Sequence, residues 1–197
     1  LDAPDVDDVL YTALAKGADR VVKITDVPEG LTTVGAASVV TAVLPTIDGL
    51  LPADLILTGC QAIDDLDGQI APVLASQLDL PYLGLVSGID IDDVGRVTVL
   101  KEYSGGVRGA FEVTLPAVLG VQSAEKPPRY VPVAKVRAAM QSGEIEESAC
   151  SVDPSPTRTD VSVLSKPAPM ERAELLEGEP NEVAERICEL LAGRGLL

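Results

Sequence analysis

The sequence predicts an α/β protein: a mostly parallel, Rossmann-like sheet with helices on both faces and an added antiparallel hairpin, followed by an extended C-terminal arm and helix. Three observations predict it. Short apolar strands rich in β-branched residues, such as Leu55 to Thr58, alternate with segments of helical period, the grammar of βαβ units. From Arg96 to Val113 that grammar gives way to two alternating runs about Ser104-Gly105-Gly106, where glycines able to take φ > 0 predict a hairpin turn. Beyond Tyr130 the chain turns polar and irregular, and Cys150 to Pro169 has too few apolar residues to build a core.

Each element has its own signal. Val6, Val9, Leu10, Ala13 and Leu14 recur at helical spacing, and Gly17 is placed to stop that helix. Arg20 to Ile24 reads as a buried strand. Thr32 or Thr33 can cap a second helix with Ala37, Val40, Thr41 and Leu44 inward, ended by Pro45. After the strand Leu55 to Thr58, Ile70, Val73, Leu74 and Gln77 predict a helix over Gln69 to Leu78, with Pro72 tolerated in its first turn and Pro81 beyond it. Tyr82 to Ile89 is a strand, the hairpin follows at a sheet edge, and Ala117 to Val121 completes the sheet. Val133 to Gln141 forms one short helix. A final helix starts near Asn181, with Val183, Ala184, Ile187, Cys188, Leu190 and Leu191 along one side. Such a helix after a long arm must bury its face on its own sheet or on a partner. The chain divides into an α/β domain over 1–146 and an arm and helix over 147–197.

The junction Gly59-Cys60-Gln61-Ala62-Ile63-Asp64-Asp65-Leu66-Asp67-Gly68-Gln69 runs from a strand into a helix N-terminus. Unpaired amides and the positive end of a helix dipole suit an anion there. The pattern is neither a P-loop nor a dinucleotide fingerprint. Asp64, Asp65 and Asp67 could hold Mg²⁺ in a nucleotide hydrolase, or simply cap the turn by accepting backbone N–H groups.

Composition narrows the chemistry. The 197 residues, 46 % apolar, can bury one substantial core. With no His there is no His general base, no Ser-His-Asp or Cys-His arrangement and no imidazole metal ligand. A net charge of −16 argues against nucleic acid and fits either basic partners or a solvating acidic surface. Cys60, Cys150 and Cys188 are too far apart for a metal knuckle, and their odd number fits a reducing compartment; Cys60 reads as a small buried hydrophobe. No apolar run approaches a membrane span, so the chain is not read as membrane-embedded.

Several stretches in order carry a resemblance: Ala13-Leu14-Ala15-Lys16-Gly17-Ala18-Asp19-Arg20, then Asp54 through Asp65, then Glu102-Tyr103-Ser104-Gly105-Gly106, Leu115-Pro116-Ala117-Val118 and Pro128-Arg129-Tyr130. In this order and spacing the chain resembles the β subunit of electron transfer flavoproteins, from the first helix to about Glu146. Family members begin with a further strand and helix, so the resemblance implies that part of the nucleotide pocket lies ahead of Leu1.

The resemblance implies a heterodimer with an electron transfer flavoprotein α subunit that shares an FAD, and a structural AMP in the loop. Position by position it brings Cys60, Ala62, Asp65, Gly68, Gln69 and Ile70 to the AMP, with backbone amides meeting the phosphate. Ile70 stands where some members carry Thr, which removes a hydroxyl and leaves the amides. Glu102 matches a glutamate that pairs with an arginine of the α subunit's flavin domain; from sequence alone it is equally a solvated carboxylate. Val133 matches the aliphatic anchor that plugs a pocket on the dehydrogenase, an acyl-CoA or other flavin dehydrogenase. Lys135 and Arg137 follow it where many members carry a run of lysines. The tail is expected to reach the α subunit.

No residue is assigned a catalytic or metal-binding role: the chain reads as an electron carrier whose redox chemistry belongs to the flavin. Three alternatives stay open. One is an electron-bifurcating relative with a second FAD in place of AMP, another a stand-alone adenine-nucleotide-binding protein or hydrolase, the third a scaffold that uses only the tail helix. The implied location is the cytoplasm of a bacterium, or the mitochondrial matrix if the source is eukaryotic.

Overall fold

The computed structural model describes residues 1–62, 67–92, 95–124, 126–151, 163, 165–168, 173 and 175–197. The chain forms two compact units, Leu1–Asp160 and Val161–Leu197.

The first unit opens with helix α1, Val6–Lys16. Asp7 and Asp8 in its first turn and Lys16 in its last complement the helix dipole. Gly17 stops it at φ 106°, a left-handed cap whose amide returns to the last turn. Contrary to the helical spacing, Val9 is exposed and no residue of α1 is fully buried. Strand β1, Val22–Thr25, leads to helix α2, Thr33–Val43, whose cap is Thr32: its hydroxyl accepts the Gly35 amide at 3.0 Å. The buried positions of α2 are Gly35, Ala37, Val39 and Val43; Val40 and Leu44 are only partly buried. A 3-10 turn over Leu44–Thr46, with Pro45 inside it, follows directly.

Strand β2, Leu55–Gly59, precedes helix α3, Ile70–Leu78. α3 buries Ala71, Leu74 and Ala75, and Gln77 reaches Ser38 Oγ on α2 through Nε2 at 2.9 Å. Asp79, left-handed at φ 56°, ends α3 two residues before Pro81, so the proline follows the stop and does not make it.

Strands β3, Tyr82–Ile91, β4, Val97–Glu102, and β5, Arg108–Val113, form an antiparallel meander; Gly105 and Gly106 at φ 77° and 75° turn the β4–β5 hairpin. Strand β6, Ala117–Val121, does not close the sheet at its margin. It lies between β2 and β3, parallel to both, and the sheet order is β2-β6-β3-β4-β5. That central place explains the uninterrupted apolar run of β6, buried on both faces. Val118 packs on one face against Ala71 and Ala75 of α3, while Leu119, with Val86, Val97 and Val99, fills the other.

Helix α4, Val133–Ser142, packs along α1, and strand β7, Glu146–Ala149, then pairs parallel with β1, Val22 opposite Glu146. The sequence reading did not include β7, because Glu146-Glu147-Ser148-Ala149 has no apolar alternation. Ion pairs assist the ladder. Arg20 Nε donates to Glu146 Oε1 at 2.8 Å, and Lys23 Nζ bridges Asp7 of α1 and Glu147 of β7 at 3.1 and 3.0 Å. Above β1, Ile24, Val39, Val43 and Ile47 make a third cluster against which Cys150 packs.

In the second unit helix α5, Pro180–Gly193, begins with a capping box between Glu179 and Glu182. Ile187 and Leu190 are exposed on it.

Candidate functional site

Strand β2 ends at Gly59, and the segment that follows returns to the first turn of α3. Cys60 ties its start to β6: its amide donates to the Val121 carbonyl at 3.2 Å and its thiol to the Gly120 carbonyl at 3.0 Å. Gly68 closes the other end at φ 60°, and a Cβ there would stand 2.8 Å from the Cys60 carbonyl oxygen. Only glycine combines that left-handed backbone with so close an approach. The family resemblance implies a phosphate contact at Gly68; what the structure shows is Gly68 joining entry and exit of the loop.

α3 presents its N-terminus at this point. Gln69 occupies the cap position without a side-chain capping bond, and Val73 donates the first helical bond to the Gln69 carbonyl at 3.1 Å. Pro72 has no backbone N–H, so the first-turn donors beyond Gln69 are the N–H groups of Ile70 and Ala71. Ala62 and Gln69 are exposed beside the half-buried Cys60, Gly68 and Ile70. Asp65 and Asp64 of the expected aspartate cluster, with Ile63 and Leu66, lie outside the described residues; among the described residues no group of three potential metal ligands occurs.

Two residues that the sequence reading used only as strand positions lie beside this junction. Gly120 of β6 lets three groups converge, since a Cβ on it would lie 3.2 Å from the Tyr82 hydroxyl and 3.5 Å from both Ala71 Cβ and Cys60 Sγ. Tyr82 lies across Gly84, whose Cβ position is occupied by the Tyr82 ring. Burial, followed by the neighbouring Cys60, raises the Tyr82 phenol above its ordinary pKa. The Pro81-Tyr82-Leu83-Gly84 sequence held a signal, a tyrosine two residues from a glycine on the same strand face.

The other predicted residues lie elsewhere. Glu102 ends β4, three strand spacings from β2, about 14 Å across the sheet. Its Oε1 accepts both Nε and Nη2 of Arg108, at 3.1 and 2.8 Å, from the directly opposite position on β5. Lys101 beside it sits over the Tyr103 ring, 5.6 Å from the centroid. Val133, Lys135 and Arg137 are exposed on α4. That helix is seated by its other side: Val136, Ala139 and Gly143 are half-buried, and a Cβ on Gly143 would meet Leu14 Cδ1 of α1 at 2.8 Å. Arg129 Nη2 donates to the Lys16 carbonyl at 3.3 Å, holding the approach to α4. The chain thus has three separated regions: the β2–α3 junction, the hairpin end and α4.

A sheet with a parallel core, in which a glycine-joined turn leads from the carboxyl end of β2 into a helix N-terminus, defines a Rossmann-like α/β protein. The family model of the electron transfer flavoprotein domain matches residues 3–152, and the chain belongs to that family. Several of its relatives are electron transfer flavoprotein beta subunits. It is 29 % identical over 182 residues to the electron transfer flavoprotein subunit beta of Syntrophomonas wolfei, covering 92 % of this chain and 68 % of that one. With the subunit beta of Bacillus subtilis it shares 30 % over 186 residues, 92 % and 71 % of the two chains. Subunit CarD of the caffeyl-CoA reductase-Etf complex of Acetobacterium woodii is 28 % identical over 164 residues, 79 % and 61 % of the two. Electron transfer is therefore the role of the chain's family. Among the described residues no helix is long and apolar enough to cross a membrane.

Proposed function

We propose that the chain works as the β subunit of a heterodimeric electron transfer flavoprotein: it holds an AMP at the β2–α3 junction, pairs with an α subunit around an FAD, and receives electrons from a flavin dehydrogenase docked on α4. The single observation that supports the nucleotide site best is the closure at Gly68. It brings two backbone segments together where the amides of Gly68, Gln69, Ile70 and Ala71 precede or begin a helix. The loop has no Lys or Arg, so a phosphate there is held by amides and the helix dipole alone, and phosphoryl transfer lacks its cationic stabiliser. The fit is to a bound, unreacted mononucleotide.

The flavin, when bound with the α subunit, supplies the redox chemistry. This chain's residues position: the hairpin carries Glu102 toward an arginine of the partner, and because both Arg108 bonds fall on Oε1, the incoming cation approaches through Oε2.

The test is to co-express the chain with the α subunit encoded beside it, denature the purified complex with acid and quantify released nucleotide and flavin. One AMP and one FAD per heterodimer is the expected result. Two FAD and no AMP would replace the reading with the bifurcating arrangement. Release of neither nucleotide, or stoichiometric Mg²⁺ with ATP hydrolysis, would overturn it.

A further inference from the structure

We infer that α4 binds its partner along its length through two apolar anchors, Val133 and Met140, with Arg137 between them, and that the partner surface is an apolar groove crossed by a carboxylate. The inference rests on the reading of α4 as the docking element and adds to it the second anchor and the pairing charge.

Geometry selects the residues. Val136, Ala139 and Gly143 turn toward α1, which leaves Val133, Arg137 and Met140 together on an exposed flank. Positions seven apart return to nearly the same angle on a helix, and their separation is about 10.5 Å along the axis, with Arg137 four residues after Val133 and three before Met140. Val133 is 63 % exposed and Met140 44 %, large apolar side chains in water with no role in the cores of the unit. An unbranched thioether adapts to an irregular groove more readily than a β-branched residue does.

Charge commits the occupant. The chain carries 31 acidic against 15 basic residues, yet α4 has Lys135, Arg137 and no carboxylate. α1 and α5 are acidic in their first turns, and α2 and α3 bear no charged side chain. α4 is thus the described helix with a net positive charge, and it carries that charge beside the two apolar residues. The complementary surface is a folded protein with two apolar depressions about 10 Å apart and an Asp or Glu between them. Arg137 suits that carboxylate as a planar two-point donor, whereas a distant acidic field would be served by a lysine run.

The experiment uses the intact heterodimer with α subunit and flavin, and a purified flavin-containing acyl-CoA dehydrogenase from the same genome as donor. Val133→Ala, Met140→Ala, Met140→Leu, Arg137→Gln and Arg137→Glu are compared for KM and kcat of flavin reduction, with flavin content and heterodimer mass as controls. Val133→Ala and Met140→Ala should each raise KM about 5- to 20-fold with kcat held, Met140→Leu should restore most of the loss, and Arg137→Glu should exceed Arg137→Gln. A KM raised by Val133→Ala but untouched by Met140→Ala overturns the two-anchor groove while the docking reading stands. Equal effects of Arg137→Glu and Arg137→Gln remove the carboxylate. Unchanged KM in all five variants sinks the docking reading and this inference with it.

Discussion

Replacing Gly68 by Val should strip the protein of its nucleotide. Gly68 sits at φ 60°, where an L-residue costs about 1–2 kcal/mol, and its new Cβ would lie 2.8 Å from the Cys60 carbonyl oxygen. That oxygen cannot drift away cheaply, because Cys60 is held on both sides, amide to Val121 and thiol to Gly120. Forcing the segments apart adds about 1–3 kcal/mol by analogy with overpacked interiors. The combined cost of about 2–5 kcal/mol falls on the closed loop that meets the phosphate, and corresponds to at least about 30-fold weaker binding. Calorimetric titration of AMP into nucleotide-stripped heterodimer measures it directly. Gly59→Ala is the companion variant, since a Cβ there meets nothing within 4 Å, so any loss of binding would report contact with the ligand and not loop strain. Stoichiometric AMP at unchanged affinity in Gly68→Val would show that the junction does not hold the nucleotide.

Four further outcomes are expected. Arg108→Gln frees the Glu102 carboxylate for a partner arginine, and should shift the salt dependence of flavin reduction without lowering flavin content; the pair is exposed, so the effect on melting should stay within about 1 kcal/mol. Hydrogen bonding from Arg20 holds the Glu146 carboxyl below its ordinary 4.5, so its stabilisation is complete above that value and lost as pH falls through the depressed one; acid unfolding of Glu146→Gln should therefore be less steep below pH 4.5. Lys23 has the opposite sign. Hydrogen bonds that it donates to Glu147 and Asp7 raise it above 10.5, so its contribution holds below that pH and is lost as pH rises through the raised value, and Lys23→Met should flatten the alkaline limb of a melting profile. Deleting 180–197, which removes the exposed Ile187 and Leu190 of α5, should weaken the heterodimer in a dilution series; equal pairing would exclude α5 from the subunit contact.

Local signals made much of the fold readable. Gly17 as a stop and the Gly105-Gly106 turn act within a few residues and stand where the sequence puts them, and of the two candidate caps, Thr32 and Thr33, the structure uses Thr32. α2 was harder to orient because Thr33–Val43 has no charged face, and a segment apolar all round does not reveal that Val39 and Val43 are the buried ones. β7 was illegible for another reason: its polar residues gain a ladder only from β1, far away in sequence. The pairing of Glu102 was within reach. Once the turn is centred on Ser104–Gly106, antiparallel register sets Arg108 opposite Glu102. The Gly120 contact with Tyr82 and Cys60 depends on three strands meeting and leaves no trace in spacing.

The pairing of β1 with β7 closes a circuit. Between the Arg129 contact to Lys16 and the first rung at Glu146, the chain is fastened to the opening segment at both ends, and α4 lies in the short span between. A ribosome must therefore release nearly the whole first unit before the docking helix has a seat, and the loop that closes spans more than a hundred residues, a slow event by chain entropy. Amides of α4, β1 and β7 should then exchange with solvent as one cooperative group, apart from the central strands β6 and β3.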